Sequence, residues 1–466
     1  MSKIRELLNR ARWRDAGLHA LEVHVLHRGA AGDRRVIAGS RIAAIRSAGI
    51  ELVPETEEGD TIFVPYHRFL AISGPDGALW SKEARAVAEA VEVEHAVRVE
   101  PALTPGVEIV STLEVVLHEA TKESPLVIDG SAGEGGGQIL RTSLALSMAT
   151  GTPFVLEKIR AGRKKPGLMR QHLSCVKAAA LVCGAEVEGA TLGSTRIAFR
   201  PGPIAPGDHV IDIGSAGSVS LVLQTLALPL ALATTASRIT VRGGTHALCA
   251  PPFPFLDRAW LPLMRRAGAQ LGLELVATGF YPAGGGEVVM TVSPATGPLT
   301  PLHLGEGAVL RALELRAVVA GLSEGIARRE LASAAELLTD SSVTLASESV
   351  RSPGPGNAMW LVACDDGTGV SNVFSAIGDV GTSAEDVGAG VARGFLAWRA
   401  SGTSIEAHLA DQVMLPIALA GEGSFTCNEL TLHARTNMEV IRAFTGHRLR
   451  AWDLGESRFR VALMRA

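Results

Sequence analysis

The segment GSAGEGGGQILR, residues 130–141, has the composition of a loop that binds an anion. It lies between an apolar strand and an apolar helix, so its backbone N–H groups can approach a phosphate at the helix N-terminus. It lacks the Gly-Lys-Ser/Thr ending of a P-loop and the spacing of a dinucleotide fingerprint. A glycine-rich turn alone is more often structural, but Glu134 lies inside this one. A carboxylate beside a phosphate requires a bridging cation, which indicates a divalent metal such as Mg²⁺.

A compact cluster of cations follows in the segment IRAGRKKPGLMRQHL. Five Lys and Arg residues fall within the eleven positions from Arg160 to Arg170. A charge run is often a solvated surface, but Gly162, Pro166 and Gly167 predict a shaped loop, where recognition residues tend to lie. Arginine binds phosphate groups bidentately. The cluster therefore predicts a site for one phosphate-rich end and not for a long duplex.

A third polar stretch, AHLADQVMLPIALAGEGSFTCNELTLHARTN, begins at Ala407 and contains His408 and His433. An isolated histidine is more often a satisfied core or surface residue than a catalyst. A neutral imidazole is also a competent phosphorus nucleophile, because it needs only orientation and relief of charge on the phosphate. The spacing alone leaves both interpretations open.

The composition is that of a globular chain, with 466 residues, 47% of them hydrophobic, and a net charge of −4. This charge predicts that any contact with RNA is local. The charged N-terminus predicts an amphipathic helix and not a secretion signal. The longest apolar run, from Leu221, contains Gln, Pro and Thr and predicts a buried helix and not a membrane span. We therefore expect a cytoplasmic protein without membrane contact.

Similar sequence units recur through the C-terminal part of the chain. VIDGSAGEGGGQILRTSLAL resembles VIDIGSAGSVSLVLQTLAL, and Asp129 recurs 83 residues later as Asp212. LPLALA recurs 187 residues later as LPIALA, and the same offset carries His246 onto His433. Each unit alternates strands and helices in the order βαβαββ. The pattern predicts the α/β (α+β) class with three repeats, each a sheet covered by one layer of helices.

The other segments differ from these units. Short strands with glycine-rich turns follow one helix at the N-terminus, and an Ala- and Glu-rich stretch comes after them. A further segment before the third unit has its own strands and helices. We predict a small α+β domain at 1–82, a linker at 83–124, two repeats at 125–304, an inserted α/β domain at 305–400 and the third repeat at 401–466.

Residues 125–466 together resemble the RNA 3'-terminal phosphate cyclase family. The motifs that carry the resemblance are DGSAGEGGGQILR, IRAGRKKPGLMRQHL, GSAGSVSLVLQT, GFYPAGGG and HLADQVMLPIALAG. The resemblance implies three repeats like the C-terminal domain of a bacterial translation initiation factor, plus a thioredoxin-like insert. It also implies that a histidine attacks the α-phosphate of ATP, that AMP moves to an RNA 3'-phosphate, and that the neighbouring 2'-OH closes a 2',3'-cyclic phosphate. ATP, Mg²⁺ or Mn²⁺, and RNA with a 3'-phosphate end are the implied cofactors and partners.

The resemblance further implies a role for each matching residue. His433, in LTLHARTN, matches the nucleophile, and Glu134 matches the metal ligand. Contacts to the phosphate and the RNA end are implied for Arg141, Arg160, Arg163, Gln171 and His172. Contacts to ATP are implied for Gln224, Pro251, Phe255, His408, Asp411 and Gln412. The family often has tyrosine where this chain has His408, and an imidazole can also stack on a purine.

The first fifty residues are basic, with ten Lys and Arg against four Asp and Glu. The stretches RELLNRARW, HRGA and VPYHRF resemble a small RNA-end-recognition family found with RNA-repair enzymes. This resemblance implies RNA contacts by His27, Arg28, Tyr66, His67 and Arg68. The alternative, in which Tyr66 belongs to the core and His67 to a sheet, stays open.

Two other functions are compatible with such repeats. Enolpyruvyl transferases are built from similar repeats, but they need neither ATP nor a nucleophilic histidine. A non-catalytic relative acting in ribosome assembly would lack the nucleophile, whereas His433 and Glu134 are both present. The sequence therefore favours the cyclase, a nucleotidyl-transferring ligase of RNA processing or repair.

Overall fold

The chain forms two compact units, Met1–Ala102 and Leu103–Ala466. In the computed structural model of the protein, the described residues are 4, 8, 18, 21–26, 34–45, 49–53, 62–65, 69–74, 77–81, 106, 108–109, 120–121, 123–305, 310–339, 342–365 and 370–463. Helices and sheets both occur, which confirms the expected mixed α/β class.

The first unit contains two antiparallel sheets among its described residues. Its strands are β1 (Glu22–Leu26), β2 (Arg34–Ala38), β3 (Ile42–Ile45), β4 (Gly49–Leu52), β5 (Ile62–Pro65), β6 (Phe69–Gly74) and β7 (Gly77–Ser81). One sheet has the order β2-β1-β6-β7 and the other the order β3-β4-β5. Val23 and Val25 alternate with more exposed residues along β1 and join a core that belongs to this unit. The predicted RNA contacts lie outside the described residues: His27, Arg28, Tyr66, His67 and Arg68.

The second unit contains a sheet that carries the glycine-rich turn. The elements here are β8 (Glu108–Ile109), β9 (Leu126–Asp129), α1 (Gly137–Thr150), β10 (Phe154–Glu157), α2 (Arg170–Cys183), β11 (Glu186–Glu188) and β12 (Ile197–Arg200). Strands β9 to β12 form a sheet of order β11-β12-β10-β9, in which β9 and β10 are parallel and the other pairs antiparallel. Gly151 and Gly184 end α1 and α2 in the left-handed conformation that favours glycine.

The next sheet repeats this strand arrangement. Its elements are β13 (Asp208–Asp212), α3 (Val219–Ala231), β14 (Ser237–Gly243), α4 (Phe253–Phe255), a π-helical turn (Leu256–Trp260), α5 (Leu261–Arg266), β15 (Gln270–Ala277) and β16 (Gly286–Ser293). The order is β13-β14-β16-β15, again with the first pair parallel and the others antiparallel.

Strands β18 to β21, which follow the short strand β17, form a sheet with its own core. The elements from β17 onwards are β17 (Leu302–His303), β18 (Leu310–Ala320), α6 (Glu324–Leu337), β19 (Val343–Ser349), β20 (Gly356–Asp365), β21 (Ser371–Ile377) and α7 (Ala384–Ser401). Strands β18 to β21 have the order β19-β18-β20-β21. Their core includes the fully buried Leu315 and Phe395.

The last sheet combines strands from distant parts of the chain. The remaining elements are α8 (Ala407–Ala420), β22 (Gly423–Cys427), α9 (Leu432–Thr445), β23 (Arg450–Gly455) and β24 (Arg458–Leu463). The order is β17-β22-β24-β23-β8, with β17 and β22 parallel. In sequence, the segment from β18 to α7 therefore comes between β17 and β22, which are neighbouring strands of this sheet.

Helices α1, α3, α8 and α9 pack against one another beside the sheets of β9–β12, β13–β16 and β17 with β22–β24. They share one hydrophobic core, in which Leu140, Leu223 and Ile441 are fully buried. Burial of each such side chain stabilises the fold by about 1.5–3 kcal/mol. The polar groups at the ends and along one side of these helices form the candidate site. Within the described residues, no helix is long and apolar enough to cross a membrane.

Candidate active site

The glycine-rich turn between β9 and α1 is shaped by close approaches that exclude side chains. Gly133 has φ +57°, and a Cβ there would collide with the Thr436 hydroxyl of α9. A Cβ on Gly137, at the start of α1, would collide with the imidazole of His172 from α2. Glycine is therefore required both for backbone conformation and for space. The turn brings the N-termini of three helices together.

Glu134 lies in this turn with its carboxylate buried. Its backbone N–H donates to Thr436 Oγ1 at 3.0 Å, and the side chain is only 7% exposed. Arg163 contacts Oε1 as an ion pair, and the Nε2 atom of His433 lies 3.7 Å from the same oxygen. The other carboxylate oxygen, Oε2, has neither a hydrogen-bond nor an ion-pair partner among the described residues. A buried carboxylate with free acceptor capacity can bind a cation.

His433, in the first turn of α9, is oriented by Gln138 of α1. The His433 Nδ1 atom lies 3.0 Å from Gln138 Oε1. Since an amide oxygen only accepts, Nδ1 carries the proton and Nε2 keeps its lone pair. Burial, together with the charges of Arg141, Arg163 and His408, lowers the pKa of His433 to about 4. The imidazole is therefore neutral at pH 7 and can act as a nucleophile.

A chain of side-chain amides continues from Gln138 to α8 and α3. Asp411 accepts hydrogen bonds from Gln138 and, at 2.6 Å, from Gln412 Nε2. Gln224 Nε2 of α3 donates to Gln412 Oε1 at 2.8 Å. Burial raises the pKa of Asp411 to about 6, although both amide hydrogen bonds and nearby cations oppose that rise. The chain fixes the amide orientation of Gln138 and hence the tautomer of His433.

Asn437 joins the same helices one turn after His433. Its Oδ1 accepts from Thr142 Oγ1 at 2.7 Å, and its Nδ2 donates to the backbone oxygen of Asp411 at 2.8 Å. A cavity of about 50 Å³ lies beside these bonds, bordered by Arg141 and Trp260 among others. Buried hydrogen bonds of this kind hold α1, α8 and α9 in register.

The loop of cations before α2 is held in place by its own arginine. Arg160 has φ +56°, and its Nη1 donates to the backbone oxygens of Lys165 at 2.6 Å and Gly167 at 3.0 Å. A positive φ is costly for a residue with a side chain and persists where the surroundings enforce it. Arg160 thus shapes the loop that presents Arg163 to Glu134.

His172 lies in the first turn of α2, with Nδ1 accepting from the Met169 N–H at 3.3 Å. Burial, together with the charges of Arg141, Arg160 and Arg163, lowers its pKa to about 3. The imidazole is therefore neutral at pH 7, and its Nε2 side faces the start of α1. It can donate a hydrogen bond to an anion without adding charge.

The match to known proteins agrees with this geometry. A family model described as RNA 3'-terminal phosphate cyclase matches residues 132–451. An RNA 3'-terminal phosphate cyclase of Ralstonia nicotianae is 51% identical over 317 residues, which cover 68% of this chain and 90% of that protein. The cyclase of Ectopseudomonas mendocina is 44% identical over 338 residues, which cover 72% and 97%.

The chain belongs to the RNA 3'-terminal phosphate cyclase family. The match begins inside the glycine-rich turn and ends in β23, so it includes Glu134 and His433. The resemblance predicted from the sequence motifs is thereby confirmed.

In this cyclase-family chain, the structure brings most of the predicted residues to one place. Those linked by ion pairs, hydrogen bonds or close charge are Glu134, Arg141, Arg160, Arg163, His172, His408, Asp411, Gln412, Gln224 and His433. Gln171 lies beside them, and its Oε1 accepts from the Ser218 N–H at 3.3 Å.

Three of the residues predicted to contact ATP, namely Pro251, Phe255 and His408, lie in different environments. Phe255 is 3% exposed and belongs to the hydrophobic core. His408 is exposed at the start of α8, where its Nδ1 bonds to Glu406 at 3.0 Å, and this carboxylate raises the His408 pKa to about 9. Together with Pro251, these residues do not border the 50 Å³ cavity.

Several side chains of the site were not predicted from the sequence, among them Gln138, Thr436 and Trp260. The signal for Gln138 was present, because residues 138, 141, 142 and 145 recur at helical spacing and all border the same cavity. Within the described residues, no three His, Cys, Asp or Glu side chains form a metal-binding group. A metal here would need phosphate and water ligands beside Glu134.

Proposed function

We propose that this protein uses ATP to convert the 3'-phosphate end of an RNA into a 2',3'-cyclic phosphate. The observation that carries the proposal is the arrangement of His433, with Nδ1 bonded to Gln138 and Nε2 facing Glu134. Membership of the cyclase family supports the same activity. An RNA substrate also agrees with the cytoplasmic location expected from the sequence.

In the first step, the lone pair of His433 Nε2 attacks the α-phosphorus of ATP. An N–P bond forms, the P–O bond to the β-phosphate breaks, and pyrophosphate leaves. The lowered pKa of His433 supports this role, because the neutral ring needs no base to release its lone pair. Gln138 Oε1 accepts the hydrogen bond from Nδ1–H throughout and stabilises the positive charge that develops on the ring.

Glu134 is the residue that would hold Mg²⁺ or Mn²⁺. Its buried Oε2 atom has no partner among the described residues, and Mg²⁺ typically combines one or two carboxylates with phosphate oxygens and water. Such an ion supplies charge relief on the phosphates of ATP. The Arg163 side chain that contacts Glu134 would then be free to contact phosphate.

In the second step, an oxygen of the RNA 3'-phosphate attacks the phosphorus of the enzyme-bound AMP, and the N–P bond to His433 breaks. In the third, the 2'-OH attacks the RNA phosphorus and expels AMP. Arg141, Arg163 and the neutral His172 surround the space beside His433 and suit a phosphate dianion. The adjacent 2'-OH reacts with the high effective molarity of an intramolecular group.

The ATP contacts are proposed for the residues carried over from the family. Asp411, Gln412 and Gln224 form one hydrogen-bonded chain that can orient the nucleoside. His408 is cationic at pH 7 and exposed, which suits stacking on a purine face. Phe255 supports this region from the core, where it packs beside the π-helical turn.

The fold expected for this function is three repeats with a thioredoxin-like insert. The shared order and direction of strands in the sheets of β9–β12, β13–β16 and β17 with β22–β24 supports the repeats. The sheet β19-β18-β20-β21, with its separate core, supports the insert. The proposed domain boundaries at 82, 124, 304 and 400 follow the sequence pattern.

The decisive experiment uses ATP labelled at the α-phosphate. We expect acid-labile, alkali-stable label on the protein, and transfer of that label to RNA with a 3'-phosphate. RNA with a 2'-deoxy terminal ribose should stop at the adenylylated end, because the internal nucleophile is missing. Absence of covalent label would favour a non-catalytic or enolpyruvyl-transferring protein, and equal processing of the deoxy end would exclude cyclisation.

We also propose that the first unit holds RNA near its end and raises the affinity for RNA without taking part in the chemistry. The excess of six positive charges in the first fifty residues supports this role. A second contact on the same strand would raise the local concentration of the end. Deletion of residues 1–82 should raise the KM for RNA and flatten its salt dependence, whereas labelling by ATP alone should persist. An equal salt slope with and without the unit would contradict the proposal.

A further inference from the structure

A second cavity, of about 400 Å³, opens near the carboxyl ends of the parallel strands β13 and β14. Asp212 and Arg242 border it from these strands, Glu287 from β16, and Gly214 and Ser215 from the following turn. In α/β sheets, ligands bind preferentially at this end of parallel strands. The volume is within the range of small-molecule pockets. None of the residues assigned above to ATP, metal or phosphate borders it.

The polar groups of the cavity combine donors and acceptors. Arg242 Nε donates to Glu287 Oε2 at 2.6 Å, and Asp212 Oδ1 accepts from the Gly214 N–H at 2.7 Å. Across the described part of the chain, the two Nη groups of Arg242 have no hydrogen-bond partner, and its side chain is 53% exposed. One guanidinium and two carboxylates give the lining a net charge of about −1 at neutral pH. This charge disfavours a phosphate and suits a neutral group that both donates and accepts.

A guanine base matches this arrangement. Its O6 and N7 atoms form a pair of acceptors that an arginine contacts bidentately. Its N1–H and 2-amino groups are neighbouring donors, for which a carboxylate is the natural acceptor. Adenine and cytosine have an amino donor but lack the O6 and N7 pair, and uracil has no amino group.

The start of α2 connects this cavity with the active site. Arg170 Nη1 donates to the backbone oxygen of Gly214 at 3.4 Å, on the cavity wall. Two positions further along the same helix, His172 abuts Gly137 at the start of α1. The first turn of one helix therefore borders both places. A single strand with its end beside His433 can continue along this turn into the cavity.

We propose that this cavity binds the base of a guanine nucleotide located a few positions before the 3'-phosphate end. The inference rests on the proposed cyclase function and names a specificity that this function leaves open. Arg242 donates to O6 and N7, and Glu287 and Asp212 accept from N1–H and the 2-amino group. The reacting phosphate stays with Arg141 and Arg163, because the cavity carries the opposite charge.

The first test varies the RNA. Four sets of 3'-phosphate RNAs of equal length carry G, A, C or U in turn at each of the last four nucleotides, and kcat/KM for cyclisation is measured with the full-length protein. We expect guanine to be preferred roughly tenfold at one position, the discrimination typical of a bidentate base contact. Inosine, which lacks the 2-amino group, should lie between guanine and adenine. Equal kcat/KM for all bases at every position would overturn the inference.

The second test varies the protein. Glu287→Gln and Arg242→Gln should each raise the KM for the preferred guanine RNA to that of the other RNAs and so remove the preference. The matched control is Glu188→Gln, which removes a carboxylate from the Arg200–Glu188 surface pair, 2.8 Å long, and should keep the preference. If the guanine preference survives in both cavity variants, the base is recognised outside this cavity and the inference is overturned. Wild-type protein that takes no label from ATP would contradict the proposed function itself and not this specificity.

Discussion

The carboxyl ends of the first two sheets of the second unit share one backbone plan and hold different chemistry. In each, a parallel strand is followed by a glycine-rich turn and a long buried helix, β9 to α1 and β13 to α3. The first turn contains Glu134, buried beside Arg163 and His433. The second turn, residues 214–217, contains no carboxylate, and its charges lie on the strands around an open cavity.

The difference arises from what approaches each turn. Helix α9 covers the first turn, with Thr436 against Gly133 and His433 above Glu134. The loop between β15 and β16 covers the second, with Gly284 against Ala216. The same backbone frame can therefore serve a nucleophile or an open pocket. The side chains delivered by distant elements decide which chemistry it carries.

The largest expected effect comes from removing His433, the proposed nucleophile beside the first turn. His433→Asn should abolish covalent labelling by α-labelled ATP, since no other group can form the first bond. The measurement is acid-labile, alkali-stable label on the isolated protein. His303→Asn, a matched change at an exposed histidine of β17, should label like the wild type. Retained label in His433→Asn would mean that the two turns do not differ in the way described.

The carboxylate inside the first turn should have the next largest effect. Glu134→Gln should slow self-adenylylation about 100-fold, roughly 3 kcal/mol of lost charge stabilisation in the transition state. The rate is measured against Mg²⁺ and Mn²⁺ concentration. Glu188→Gln, on the exposed strand β11, provides the control for loss of one negative charge. Unchanged metal dependence in Glu134→Gln would contradict its role as metal ligand.

A substitution of Gln138 tests whether the orientation of the His433 imidazole contributes to the chemistry of the first turn. Gln138→Met should reduce the rate of self-adenylylation roughly fivefold, with little change in the KM for ATP, because about 1 kcal/mol of hydrogen bonding is lost. Nitrogen-15 NMR of the imidazole should show the Nδ1–H tautomer in the wild type and a mixture in the variant. Gln270→Met, at an exposed position of β15, is the control. A single unchanged tautomer in Gln138→Met would remove Gln138 from this role.

The smallest expected effect is a pH dependence of the self-adenylylation rate, caused by Asp411, which accepts a hydrogen bond from Gln138. Asp411 has a pKa raised to about 6, so its carboxylate becomes charged as the pH rises through 6 and then accepts more strongly from Gln138 and Gln412. Self-adenylylation should therefore increase roughly threefold across this range, about 0.7 kcal/mol. His433 titrates near 4 and contributes no inflection there. Asp411→Asn should remove the inflection, and its persistence in that variant would assign it elsewhere.

The sequence predicted the parts of the site that are local in the chain. The turn around Glu134 and the loop from Arg160 each consist of consecutive residues, with glycine at left-handed positions such as Gly133 and Gly167, although Arg160 itself is also left-handed. The contact between Gln138 and His433 joins positions 295 residues apart, and no pattern of spacing contains it. The environment of Phe255 was equally hidden, because an aromatic in a polar motif can lie in the core.

The repeat offset shows where local similarity ends. An offset of 187 residues carries His246 onto His433, yet the two are not equivalent. His433 begins the helix α9, whereas His246 is buried before α4 and stacks on Phe280 with ring centroids 5.2 Å apart. The strands keep the register of the repeat, but the connection to the following helix has a different length. Strand β17 was also not predictable, because two residues are too few to show a hydrophobic pattern.

The last sheet of the second unit joins residues that are synthesised far apart in time. Leu302 pairs with Gly423, and Ile109 pairs with Ala451. The edge strands β17 and β8 can therefore pair only after the C-terminal strands have been synthesised. Such long-range closure is slow, and a nascent chain emerges at about 5–20 residues per second. In chains stalled before residue 423, we expect the backbone amides of the β18–β21 sheet to be protected from hydrogen exchange. Such chains lack α9, so the amides of the β9–β12 sheet that depend on contact with α9 should exchange. The nucleophile would then arrive last, so that an incomplete chain cannot consume ATP.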